Sequence, residues 1–88
     1  MTIADLFEET AAPAAVIKIT THTGGLRSVA WTGTGHDGRT GWWWAVVFDG
    51  DDEAQAMGWA PLSDVQRNAD IAAAIVRVLY QPRQAVAS

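Results

Sequence analysis

Arg39 to Asp49 reads RTGWWWAVVFD, three consecutive tryptophans running into an aliphatic strand. Side chains of a strand alternate between its faces, so Trp42, Trp44, Val46 and Phe48 point one way while Trp43, Ala45 and Val47 point the other. Both sets are apolar. A strand of this kind belongs inside a sheet with a layer packed on each side, rather than at an edge facing water.

Outward from this strand, turn residues mark three neighbours. Val16 to His22, VIKITTH, is rich in β-branched residues and is followed by Thr23-Gly24-Gly25 and then by Leu26 to Thr32. Asp37-Gly38 is the strongest short hairpin cue in the chain, and a further turn lies in DGDDE, Asp49 to Glu53. With Gly24-Gly25 and Asp37-Gly38 as two-residue turns, Lys18 pairs with Trp31, Trp31 with Trp44 and Val29 with Val46. A fourth strand that starts with Glu53 opposite Phe48 sets Met57 against Trp44 and Trp59 against Trp42.

The expected sheet is a four-stranded antiparallel meander over residues 16–60. One face carries Ile17, Ile19, Ala30, Trp43, Ala45, Val47, Ala54 and Ala56, which are mostly small or aliphatic. The other carries Val16, Val29, Trp31, Trp42, Trp44, Val46, Phe48, Met57 and Trp59, with Lys18, His22 and Arg27 on its flank. A one-residue slip in any hairpin exchanges the faces of that strand.

A helix is expected at each end. Thr2 to Thr10 has Thr2 as N-cap and Ile3, Leu6 and Phe7 along one edge, and a connector around Pro13 completes residues 1–15. Residues 61–81 form the second helix, capped by Ser63 with Gln66 three residues on. Val65, Ala69, Ala72, Val76 and Leu79 make one apolar stripe, and Ile71, Ile75 and Val78 a second beside it. Together they span roughly 200°, wider than one sheet face requires. Pro82 ends the helix and leaves 82–88 as a tail. The chain therefore reads as a single α+β domain, with the C-terminal helix on the small-residue face.

Composition narrows the function. A domain of 88 residues buries only about 60% of the surface its unfolded chain exposes, and with no cysteine it has neither disulfide nor thiolate metal site. A homo-oligomer, dimer or higher, is the expected supplement. Net charge of −4 argues against a nucleic-acid polymer as partner. No apolar run approaches the roughly 20 residues of a membrane span, and the acidic N-terminus is unlike a signal peptide, so a cytoplasmic protein is expected. The Ala, Gly, Asp and Arg bias suggests a GC-rich bacterial or phage gene.

Four tryptophans on one face, each presenting about 150–250 Å², exceed the apolar patch of about 300–600 Å² that a monomer ordinarily exposes. They call for a cover, either the N-terminal helix, a second subunit or a ligand. Beside them, Lys18, Arg27 and Arg39 are candidate anion partners, His22 and His36 candidate hydrogen-bonding groups, and Trp31, Trp42, Trp44 and Trp59 candidate stacking surfaces. The glycine-rich stretch Thr32 to Gly41 matches neither the Walker nor the dinucleotide pattern, because it joins two strands. Asp49, Asp51, Asp52 and Glu53 lack the EF-hand spacing, so no metal site is expected. Ser28, Ser63 and Ser88 are the only serines. Adjacent His36 and Asp37 cannot converge with any of them as a triad, so no catalytic residues and no cofactor are expected.

The leading functional expectation is a non-catalytic sensor or sequestering protein that holds a planar anionic ligand, such as a nucleotide, in a tryptophan-lined pocket of a homo-oligomer. The alternative is a small acidic inhibitor or adaptor that docks on another protein, for example a phage antagonist of a host factor, with its acidic turn against a basic partner.

Overall fold

The tryptophan strand, β3 (Thr40–Phe48), is an inner strand of a four-stranded antiparallel sheet and is buried from Gly41 to Val47. The structure is a computed structural model and describes residues 2–10, 16–35 and 37–80. Before β3 come α1 (Ile3–Thr10), β1 (Ile17–Thr21) and β2 (Leu26–Thr34); after it come β4 (Ala56–Pro61) and α2 (Asp64–Tyr80). Sheet order is β1-β2-β3-β4, the α+β meander that turn spacing and periodicity indicate. The connector around Pro13, His36 and the tail after Gln81 lie outside the described residues.

Both expected helix caps are present. The Asp5 N–H donates to Thr2 Oγ1 at 3.3 Å, and the Gln66 N–H to Ser63 Oγ at 3.2 Å. Each satisfies a backbone donor that a first helical turn leaves without a partner.

All three hairpin registers differ by one residue from the expected ones. Ile17 faces Trp31, Trp31 faces Trp43, and Trp43 faces Trp59. The cause is turn length. The first hairpin turns through Thr23–Gly25, a three-residue 3-10 turn with Gly24 and Gly25 at φ 75° and 76°. The second closes where the Gly35 N–H donates to the Arg39 carbonyl, which leaves three residues between them and Gly38 at φ 83°. A three-residue loop with glycine in the left-handed region is the next most common hairpin after the two-residue forms. In the third, the chain after Phe48 is drawn aside to α1. Ile3 N–H donates to the Asp52 carbonyl, Thr2 and Glu53 form a bridge, and pairing with β3 resumes at Ala56.

The slips redistribute the tryptophans. Trp42, Trp44 and Val46 lie on the α2 side with Leu26, Ala30, Ile71 and Ala74. Trp31, Trp43 and Ala45 lie on the α1 side with Leu6, and Phe7 meets the Trp31 ring edge-on at 6.1 Å. Trp59 packs on this second side. The C-terminal helix thus covers a tryptophan face, which corrects the expected packing on small residues. No face holds four tryptophans, so burying the indoles needs no second subunit.

Glycines make room for the indoles. A Cβ on Gly58 would lie 2.5 Å from the Trp44 ring, and one on Gly33 would lie 1.9 Å from the Thr10 carbonyl oxygen. Close approach is the role of these residues, since neither has positive φ. On α2 the stripe that reaches the sheet is Arg67, Ile71, Ala74, Ile75 and Val78. Of the other stripe, Val65, Ala69 and Val76 face outward, and Ala72 is exposed at its border with the sheet-facing side.

Candidate functional site

Because α2 packs on β3 and β4, the same face over β1 and β2 is left with a cleft of about 680 Å³. Lys18, Thr20, Thr21, His22 and Thr23 form its strand wall, and Ser28 and Ala30 lie on its β2 side. Arg67, Asn68, Ile71, Ala72 and Ile75 form the helix wall. The volume falls in the range of small-ligand sites. Alternation explains the strand wall: Lys18, Thr20 and His22 share one face of the chain, and small Ala30 opposite Lys18 leaves the space above open.

The electrostatics of the cleft oppose those of the chain. Ten acidic residues outnumber six Lys and Arg in the sequence, yet no carboxylate lines the cleft, whereas Lys18, His22 and Arg67 do. Arg67 is only 5% exposed. Its guanidinium lies 4.6 Å from the Trp42 ring centre, donates from Nη1 to Asp64 Oδ1 at 3.0 Å, and donates from Nε and Nη2 to Asn68 Oδ1. Those three bonds use three of the five N–H groups that a guanidinium carries. The cation is fixed before any ligand arrives, which lowers the ordering cost of binding.

His22 Nε2 and Ser28 Oγ are 2.8 Å apart. A nucleophile and base at that distance need a third group to orient the imidazole, and the cleft lining supplies no carboxylate for it. The pair ties two neighbouring strands together and gives the cleft a fixed polar corner.

Lys18 and His22 are the expected site residues that line the cleft. Trp42 lies one layer beneath, under Arg67. Trp44 is buried beneath α2. Arg27 is paired with Asp49, and Arg39 with Asp37 at 2.7 Å. Trp31 is buried on the α1 side, its indole N–H donating to Thr10 Oγ1. Trp59 lies on that side too, against Gly41. The expected tryptophan-lined pocket is therefore corrected to a cleft walled by hydroxyls, cations and aliphatic side chains. Arg67 is the residue that sequence reasoning missed. Its signal was its spacing, four residues before Ile71 and eight before Ile75 on the stripe that meets the sheet.

At the β2–β3 turn, the Arg39 backbone N–H and then its guanidinium hold the Asp37 carboxyl below its ordinary 3.8. Among the described residues, no group of three His, Asp or Glu side chains is placed to hold a metal, and no helix is long and apolar enough to cross a membrane. No protein-family model matches the chain, and no curated protein or solved structure matches it.

Proposed function

We propose that this chain is a non-catalytic binding protein that takes an anionic ligand into the cleft between β1 and α2. The observation that carries this reading is the meeting of Lys18, His22 and Arg67, held in place by Asp64 and Asn68, in a cleft of an acidic protein whose lining includes no carboxylate. A buried guanidinium and an exposed ammonium beside several hydroxyls suit phosphate or carboxylate oxygens, which accept charge-assisted hydrogen bonds. Ile71, Ile75 and Ala72 give the remainder of the ligand an apolar wall. Stacking between indoles has no part in it, because Trp31, Trp42 and Trp44 are buried.

Native mass spectrometry of protein purified from cells, before and after denaturation, tests this directly. An anionic mass released on denaturation supports the reading. A complementary ¹⁵N-NMR titration with pyrophosphate should shift the amides of Lys18, His22 and Asn68. Shifts confined to other parts of the chain would sink it.

A second reading has one observation in its favour. The contact of Ile3 with Asp52 and the bridge from Thr2 to Glu53 set acidic α1, with Asp5, Glu8 and Glu9, beside the acidic turn of Asp51, Asp52 and Glu53. That combined surface fits docking on a basic protein. Charge reversal at Asp51 and Asp52 should abolish such docking and leave pyrophosphate binding intact.

A further inference from the structure

The two edges of the sheet are protected to different degrees. β4 contains Gly58, ends in Pro61 and lies under α2. Proline and a covering helix are usual ways of blunting a sheet edge. β1 has neither: all five of its residues are exposed, it has no proline, and Lys18 is its one charge. No strand lies beyond it among the described residues.

Its backbone is set for a partner. The His22 N–H donates to the Leu26 carbonyl, and the Thr32 N–H to the Val16 carbonyl, so even-numbered residues bond inward to β2. Antiparallel alternation then turns the N–H and C=O groups of Ile17, Ile19 and Thr21 outward. On the α1 side of the sheet, Ile17, which faces Trp31, and Ile19 remain 51% and 63% exposed.

We propose that β1 pairs antiparallel with β1 of a second copy about a two-fold axis at Ile19. In that register Ile19 faces its own mate, Ile17 faces Thr21, and Lys18 faces Thr20. Every outward backbone group then meets a complementary one, giving roughly six main-chain hydrogen bonds across three facing pairs. The exposed isoleucines gain apolar neighbours, and no like charges stand directly opposite. A one-residue shift would set inward-bonding residues against outward-bonding ones, so the strand is self-complementary in this register.

The pairing also changes the cleft. A two-fold axis normal to the sheet keeps both α2 helices on one side, so the two clefts open toward each other across the joined β1 strands. One trough results, floored by strands from both protomers and lined by two copies of Lys18 and His22. This shared use of the trough rests on the anion-binding reading above, whereas the pairing does not. A ligand with two separated anionic groups, or an extended one, fits the trough better than a single small anion.

The absence of cysteine makes the test clean. Lys18→Cys and Thr20→Cys proteins, mixed and oxidised, should give a mixed disulfide dimer, because those positions face one another in a pair without hydrogen bonds. Either variant alone should give little. Ile19→Lys, which sets two ammonium groups at the axis on an exposed position, should weaken dimerisation at least tenfold in analytical ultracentrifugation without loss of folding. Failure of the mixed disulfide, or a dimer unaffected by Ile19→Lys, overturns the pairing and moves the contact elsewhere, for example to the outward stripe of α2. An unmutated protein that dimerises in ultracentrifugation, loses the dimer on Ile19→Lys and does not bind pyrophosphate upholds the pairing and sinks the anion reading. A monomer that binds it does the reverse.

Discussion

β3 (TGWWWAVVF) and β1 (IKITT) are both strands rich in β-branched or aromatic residues, and the molecule treats them in opposite ways. From Gly41 to Val47 every residue of β3 is buried, whereas every residue of β1 is exposed. Strand propensity does not separate them. Position does: β3 has a strand on each side and a helix over each face, while β1 has one strand neighbour among the described residues and an open cleft between it and α2. Stability is therefore concentrated around β3, and β1 is left available for contacts outside the fold. A domain this small has little stability to spare, so the division makes the two halves respond very differently to mutation.

Trp44→Ala should break the β3 side most severely. It empties the slot over Gly58 beneath α2, and a cost of about 3–5 kcal/mol is expected from comparable core truncations. That is a large share of the roughly 5–15 kcal/mol of an ordinary domain, so urea denaturation should show a steep fall in midpoint or no folded baseline. Gly33→Ala comes next. Its Cβ would strike the Thr10 carbonyl and Trp43, so α1 must move, at about 1–3 kcal/mol. Near-UV circular dichroism should report loss of the Phe7–Trp31 contact.

Arg67→Met should cost about 2 kcal/mol, through lost stacking on Trp42 and the lost bond to Asp64. The same variant should weaken pyrophosphate binding, which links the buried half to the cleft. On the β1 side, Lys18→Ala should leave stability within about 0.5 kcal/mol and still reduce pyrophosphate affinity by about tenfold. Calorimetry of both quantities on one sample would sharpen the contrast. A drop in stability with no change in affinity would reverse the roles given to the two strands.

The smallest effect concerns pH. Because bonding to Arg39 depresses the Asp37 carboxyl below 3.8, its stabilisation of the β2–β3 turn is fully present above that value and lost as pH falls through the lower folded value. An NMR titration of the Gly38 amide should show the transition on the acid side of 3.8, and Asp37→Asn should remove it.

Much of this architecture is legible in the sequence. Thr2 and Ser63 mark their helices because a capping oxygen must precede an apolar periodic run, and the glycine turns mark the ends of the strands. What those glycines do not reveal is how many residues each turn contains. A left-handed glycine serves both the two-residue and the three-residue hairpin, so Gly24-Gly25 and Asp37-Gly38 locate a reversal without fixing its register. One residue of error put Trp31 and Trp59 on the wrong side of the sheet. Lys18 and His22 were placed correctly relative to Trp42 because two slips lie between β1 and β3, and two slips restore the face. Arg67 escaped notice because an arginine on an apolar stripe reads as an interruption, when its stem packs and its head stacks on an indole.

The odd length of the first two turns has a consequence for heredity. Loss or gain of one codon in Thr23–Gly25 or between Gly35 and Arg39 would invert the inside and outside of a whole strand, whereas a two-codon change would preserve them. Length variation in these turns among descendants of this gene should therefore come in steps of two, and single-codon variants should be missing because they do not fold.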